Sequence, residues 1–153
     1  MNDEDLHKID LLLNQLIPAS GLKLTHTATL RPPGSIPALE VEFTGLDVPV
    51  LLARHAELLL ALEHLAVQSL RLESDEHDQI SFDAAGFKAN RTRNLHRAAQ
   101  SAVQRVRVSG EAFHFAPMSS RERRLLHLAL APSGLPTESE GDGPMRHLVL
   151  RPL

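Results

Sequence analysis

A helix start and an Arg-x-x-x-His pair fall together in Pro117-Met118-Ser119-Ser120-Arg121-Glu122-Arg123-Arg124-Leu125-Leu126-His127, and no other stretch of the sequence constrains the fold as tightly. Ser119 followed three residues later by Glu122 is a capping box: each side chain reaches the other's backbone amide, which satisfies orphan donors of the first turn and fixes where the helix begins. At about 100° per residue, Arg123 and His127 stand roughly 40° apart on one side of that helix. Leu125, Leu126, Ala129 and Leu130 fill the adjoining arc, which makes that arc the core face and puts the pair at its border. A guanidinium and an imidazole one turn apart at the edge of a packed helix can grip a phosphate and stack or hydrogen-bond beside it. Any surface helix offers such i,i+4 pairs, so spacing alone also fits two solvated residues.

A chain of 153 residues makes one domain of common size or two small ones, and 42% apolar residues suffice for a core. Aromatic residues are 3%, with no Trp or Tyr, so a ligand is not held mainly on broad stacking platforms and phosphate contacts must carry more. The absence of Cys excludes disulfides, thiolate catalysis and Cys-based zinc sites, and fits a reducing compartment. Met1-Asn2-Asp3-Glu4-Asp5 is acidic where a signal peptide is basic, and no apolar run approaches about 18 residues, so the expected location is cytoplasmic without membrane insertion. The net charge of −3 hides an asymmetry. Residues 1 to 87 carry 5 Lys+Arg against 14 Asp+Glu, a balance of −9, whereas residues 88 to 153 carry 11 against 5, a balance of +6. A polyanion is repelled by the first part and attracted by the second.

In order along the chain, residues 5 to 17 place Leu6, Ile9, Leu12, Leu13, Leu16 and Ile17 at helical spacing, with Asp3 or Asp5 as cap and Pro18-Ala19-Ser20-Gly21 as terminator. Leu22, Leu24, His26, Ala28 and Leu30 alternate as a strand. After the breaker-rich Arg31-Pro32-Pro33-Gly34-Ser35-Ile36-Pro37, Leu39, Val41 and Phe43 form the inward face of its returning hairpin partner. Residues 50 to 72 read as helix, apolar almost all round and therefore heavily buried or at an interface. An acidic loop, residues 73 to 78, precedes a short strand around Ile80 and Phe82. The next helix runs to about Val108, with Leu95, Ala98, Ala99, Ala102, Val103 and Val106 as its core stripe and Arg93, Arg97, Gln100, Gln104 and Arg107 opposite. No acid occurs from Lys88 to Gly110, so that face gives up i,i+4 ion pairs, as suits an anionic partner. Phe113 and Phe115 enter the Pro117 turn on a strand. After the Arg123/His127 helix, Pro132-Ser133-Gly134 breaks the chain before strands at 135 to 140 and 146 to 151, with Asp142-Gly143 as the hairpin turn.

Pro117-Met118, Glu122-Arg123-Arg124, His127, Thr137-Glu138-Ser139-Glu140-Gly141 and Arg146 together resemble the domain named for its Arg-x-x-x-His pair, the RxxxH domain, in the form it takes in the bacterial Jag (KhpB/EloR) family. That resemblance implies a single-stranded nucleic acid binding domain with Arg123 and His127 on its binding surface. The order helix, strand, strand, helix, helix, strand in the first part is that of a type II KH domain and resembles the KH domain preceding the RxxxH domain in that family. Asp83-Ala84-Ala85-Gly86-Phe87-Lys88 resembles the family's junction between the two. At the Gly-x-x-Gly loop of a KH domain, which lets nucleotide backbone approach the main chain, this sequence has Ala53-Arg54-His55-Ala56. Alanine favours helix over glycine by about 1 kcal/mol per position, so residues 50 to 72 are expected to run as a straighter helix that does not clamp nucleic acid. The resemblance also implies a KH-mediated homodimer, or a heterodimer with a second small KH protein. It further implies a regulatory setting in cell elongation and envelope synthesis, while the family's separate N-terminal Jag module is expected to be absent.

The reading is an α+β chain of two small α/β-sandwich domains, a type II KH-like domain at residues 1 to 85 with a degenerate loop and an RxxxH domain at residues 86 to 153. Arg123 and Arg124 are expected to hold phosphate of single-stranded RNA or DNA, His127 to stack or hydrogen-bond, and Arg93, Arg97 and Arg146 to extend the track. The alternative is a protein interaction and dimerisation module with vestigial RNA binding. No cofactor, enzymatic activity or metal is expected: none of the nine histidines pairs as His-x-x-x-His, and no Walker loop or nucleophile elbow occurs. Glu138 and Glu140 share one strand face, where a structural role is expected.

Overall fold

The computed structural model describes residues 1–153, an α+β chain that divides into two compact units, Met1–Phe87 and Lys88–Leu153. Their buried residues form two separate hydrophobic clusters.

The first unit opens with α1 (Asp3–Ser20). Its cap is Asn2 rather than Asp3 or Asp5. The Asn2 side-chain Oδ1 accepts from the Asp5 backbone amide at 3.0 Å while the Asp5 carboxylate accepts from the Asn2 backbone amide at 3.0 Å, a reciprocal pair that fixes the first turn. Lys8 donates to Glu4 one turn earlier at 2.8 Å, and that hydrogen bond holds the Glu4 carboxyl below its ordinary range. Within the Pro18-Ala19-Ser20-Gly21 terminator read from the sequence, Pro18 sits inside the last turn and left-handed Gly21 ends the helix, donating to the Pro18 carbonyl. Strands β1 (Thr25–Leu30) and β2 (Leu39–Thr44) pair antiparallel from Thr25↔Thr44 to Leu30↔Leu39. Strand β3 (Ile80–Ala84) joins β2 in parallel, giving the order β1-β2-β3. Leu39, Val41, Phe43, Ile80, Phe82 and Ala84 pack against Ile9, Leu13 and Ile17 of α1.

Helix α2 (Val48–Ser69) departs from the straight helix expected here. Ala53 is extended (φ −61, ψ 156), and Arg54, His55 and Ala56 are all left-handed, with φ of 53, 59 and 60, so two helical segments meet across a break. Helix propensity, about 1 kcal/mol per residue, is outweighed by packing: Leu51 before the break, Ala56 within it and Leu59 after it are all fully buried, and burying each leucine contributes about 1.5–3 kcal/mol. Gly45 sets the approach to α2. Its φ is 131, and a Cβ there would stand 2.3 Å from the Lys23 carbonyl oxygen.

In the second unit, α3 (Phe87–Ser109) buries Leu95, Ala99, Ala102 and Val106. Strand β4 (Phe113–His114), helix α4 (Ser120–Leu130) and strands β5 (Thr137–Glu140) and β6 (His147–Leu150) follow, with sheet order β4-β6-β5, antiparallel throughout. The hairpin between β5 and β6 turns at Asp142-Gly143, as read from the sequence, with a short helical turn over Gly143–Met145 inserted before β6. Leu148 and Leu150 join Leu126 and Leu130 of α4 in the core. Side chains alternate across a strand, so His147 and Val149, with Glu138, Glu140 and His114 beside them in register, stand on the sheet's other face. No helix is long and apolar enough to cross a membrane.

Candidate nucleic-acid interface

Helix α4 begins as its sequence dictates. The Ser119 hydroxyl accepts from the Glu122 amide at 3.3 Å and the Glu122 carboxylate accepts from the Ser119 amide at 3.2 Å. The same carboxylate takes the Arg91 Nε–H of α3 at 2.6 Å, so one acid both starts α4 and ties it to α3. Leu126 and Leu130 are fully buried, Arg123 is half-buried beside them, and Arg124 and His127 are exposed. The pair therefore lies at the border of the core face. His127 is held in place: its Nδ1 lies 2.5 Å from the Thr137 hydroxyl on β5, which leaves Nε2 for a ligand. Arg123 and Arg124 take part in no ion pair, so their guanidinium donors are uncommitted.

Arg146 is exposed, and its carbonyl accepts from the Met118 amide at 3.2 Å, which sets its backbone beside the segment entering α4. Arg93, Arg97 and Arg107 are exposed along α3 within about 40° of one line, on the side away from its buried stripe. Arg93 is hydrogen-bonded to Asn90 and Arg107 donates to the Ser133 carbonyl at 3.0 Å, whereas Arg97 has no ion pair. Arg91, which meets α4, is roughly 160° round the helix from Arg93. The structure thus groups Arg123, Arg124 and His127 on α4 with Arg146 near its entry, and sets Arg93 and Arg97 on a separate ridge of α3.

Two features of the site are silent in local sequence patterns. Thr137 lies ten residues beyond His127, and only the fold shows that its hydroxyl fixes the imidazole. The Arg91–Glu122 pair spans 31 residues; its one trace in the sequence is that Glu122 is an isolated acid in a basic region. Glu138 and Glu140 share a face, and both are engaged by Arg151, the first at 3.3 Å. Arg54 and His55 are exposed at the break in α2, with Glu57 4.0 Å from Arg54.

Residues 93–152 match the family model of the RxxxH domain, the domain named for its Arg-x-x-x-His pair. Similar proteins include the RNA-binding protein KhpB of Clostridium symbiosum, 24% identical over 113 residues, which are 73% of this chain and 51% of that protein. The RNA-binding protein KhpB of Bacillus subtilis is 28% identical over 110 residues, 70% of this chain and 53% of that protein. That of Lactiplantibacillus plantarum is 30% identical over 102 residues, 66% of this chain and 32% of that protein. The chain spans about half the length of the first two and a third of the last. It is a homologue of the KhpB (Jag) proteins and carries the Arg-x-x-x-His domain in its second unit.

Proposed function

We propose that this chain is a cytoplasmic regulatory protein that binds single-stranded RNA, or DNA of the same form, through its second unit. The observation that carries the reading is the α4 edge, where the unpaired Arg123 and Arg124 stand beside an imidazole already fixed on Thr137. In this reading Arg123 and Arg124 hold phosphate, and His127 stacks on or hydrogen-bonds a base or sugar. Arg146 adds a contact at the helix entry, and Arg93 and Arg97 engage a stretch of strand that continues onto α3. The positive balance of residues 88 to 153 and the relatives' name as RNA-binding proteins support it. The first unit, read as KH-like, is structural in this scheme, and the chain is a binding protein rather than an enzyme.

The test is fluorescence anisotropy with a labelled single-stranded RNA of mixed sequence across a salt series, comparing wild type with Arg123→Ala/His127→Ala and with Arg54→Ala. About three to four neutralised phosphates give a log–log salt slope of about −2 to −3. The double variant is expected to lose most binding and to flatten the slope, while Arg54→Ala changes little. Wild type without salt-dependent binding at low ionic strength would sink the proposal.

A second reading, a dimerisation module, is favoured by the apolar residues that α2 leaves in solvent: Val50, Leu60 and Leu65 are 50%, 46% and 44% exposed. Light scattering over a concentration series tests it. A chain that stays monomeric throughout, with no added KH partner bound, excludes this reading.

A further inference from the structure

On the face of the second sheet away from α4, His114 of β4, Glu140 of β5 and His147 of β6 offer three ligand atoms that all lie within 4.8 Å of one another. The fold brings them together. Glu140 stands directly opposite His147 in the β5–β6 register, and His114, opposite Val149, is its diagonal neighbour across β4–β6. We infer that these three residues form a site for a divalent transition-metal ion of the zinc class.

The histidine geometry carries the argument. His147 Nδ1 lies 3.1 Å from the Met145 carbonyl oxygen, which can only accept, so Nδ1 bears the hydrogen and the neutral ring presents the Nε2 lone pair. That Nε2 accepts from Nδ1–H of His114 at 3.2 Å, and a bound ion takes the place of this hydrogen when the His114 ring carries its proton on Nε2 instead. Two nitrogens bound to tetrahedral zinc at about 2.0–2.1 Å are about 3.3 Å apart, so the rings already stand at the separation that a shared ion requires. The backbone carbonyl on the remote nitrogen of His147 is the usual outer partner of a ligating imidazole. Glu140 has a comparable outer partner, because Arg151 hydrogen-bonds one of its oxygens and leaves other lone pairs free. Arg151 also pairs with Glu138 at 3.3 Å, so the two carboxylates and one guanidinium sum to a single negative charge, which attracts a cation. Two imidazoles with one carboxylate select zinc or its neighbours over magnesium and calcium, which prefer oxygen ligands alone. His114 is exposed, so the fourth position opens to solvent and takes water.

Isothermal titration of the full chain with zinc chloride in a non-chelating buffer tests the assignment. One equivalent is expected to bind. His114→Ala and His147→Ala should each weaken it by about tenfold or more, and His96→Ala, on exposed α3 surface, should leave it unchanged. Because a β6 variant can lose the fold, the decisive readout uses wild type: imidazole ¹⁵N spectra recorded with and without zinc. The ring signals of His114 and His147 are expected to shift to metal-bound positions while that of His127 stays. Zinc binding that persists in His114→Ala/His147→Ala, shifts confined to other histidines, or no binding up to millimolar zinc would each overturn the site.

Discussion

Thr137 and Glu122 act on the interface through other residues. Replacing Thr137 with Val keeps the branched shape that suits β5 but removes the hydroxyl that holds His127. A hydrogen bond of this kind contributes about 0.5–1.5 kcal/mol, so RNA affinity in the anisotropy assay is expected to fall by about 2- to 12-fold, with the far-UV spectrum unchanged. An affinity equal to wild type alongside a defective His127→Ala would show that the imidazole needs no anchoring. Glu122 has more to lose, since its carboxylate serves both the Ser119 cap and Arg91. Glu122→Ala is expected to lower urea stability by about 1–3 kcal/mol. Glu122→Gln keeps the capping geometry and should lose less. Equal losses in the two variants would mean that the charge pair, not the cap, dominates.

Among the elements, α2 separates what local pattern specifies from what only packing decides. The break at Ala53–Ala56 places three side-chain-bearing residues in left-handed backbone, which is costly for L-residues. His55 is exposed, so His55→Gly relieves that cost without opening a cavity. After the extra freedom glycine gives the unfolded chain, the first unit should gain about 0.5–1 kcal/mol in urea unfolding. A loss instead would mean that the His55 side chain stabilises the break. The capping box of α4, the stripe Leu95/Ala99/Ala102/Val106 and the first hairpin were legible because each is encoded within a few residues at period 3.6 or 2. The break was not, because alanine locally favours helix and the opposing force is the burial of Leu51 and Leu59, which depends on residues distant in sequence. The same limit applies to the site. The Arg123/His127 spacing is local, whereas the Thr137 anchor, the Arg91 tie and the convergence of His114 with His147 exist only once β4, β5 and β6 have paired.

For the whole molecule, the boundary at Phe87/Lys88 coincides with the change of charge balance, −9 before it and +6 after it, and each side has its own buried cluster. Stability and ligand response should therefore be separable by unit. Leu126→Ala empties a fully buried position of the second cluster, which costs about 2–5 kcal/mol in a unit small enough to be marginal. Native-state hydrogen exchange should show protection lost in β5 and β6 while amides of β2 and β3 keep theirs. Single-stranded RNA at about 100 times its dissociation constant adds about 2.7 kcal/mol to whatever unit binds it. On the proposed reading that increment appears in β5 and β6 and is absent from β2 and β3. An increment in β2 and β3 instead would move the binding site to the first unit, around the exposed Arg54 and His55. An increment in both would mean that the units fold or bind as one, and that the charge split does not decide where RNA docks.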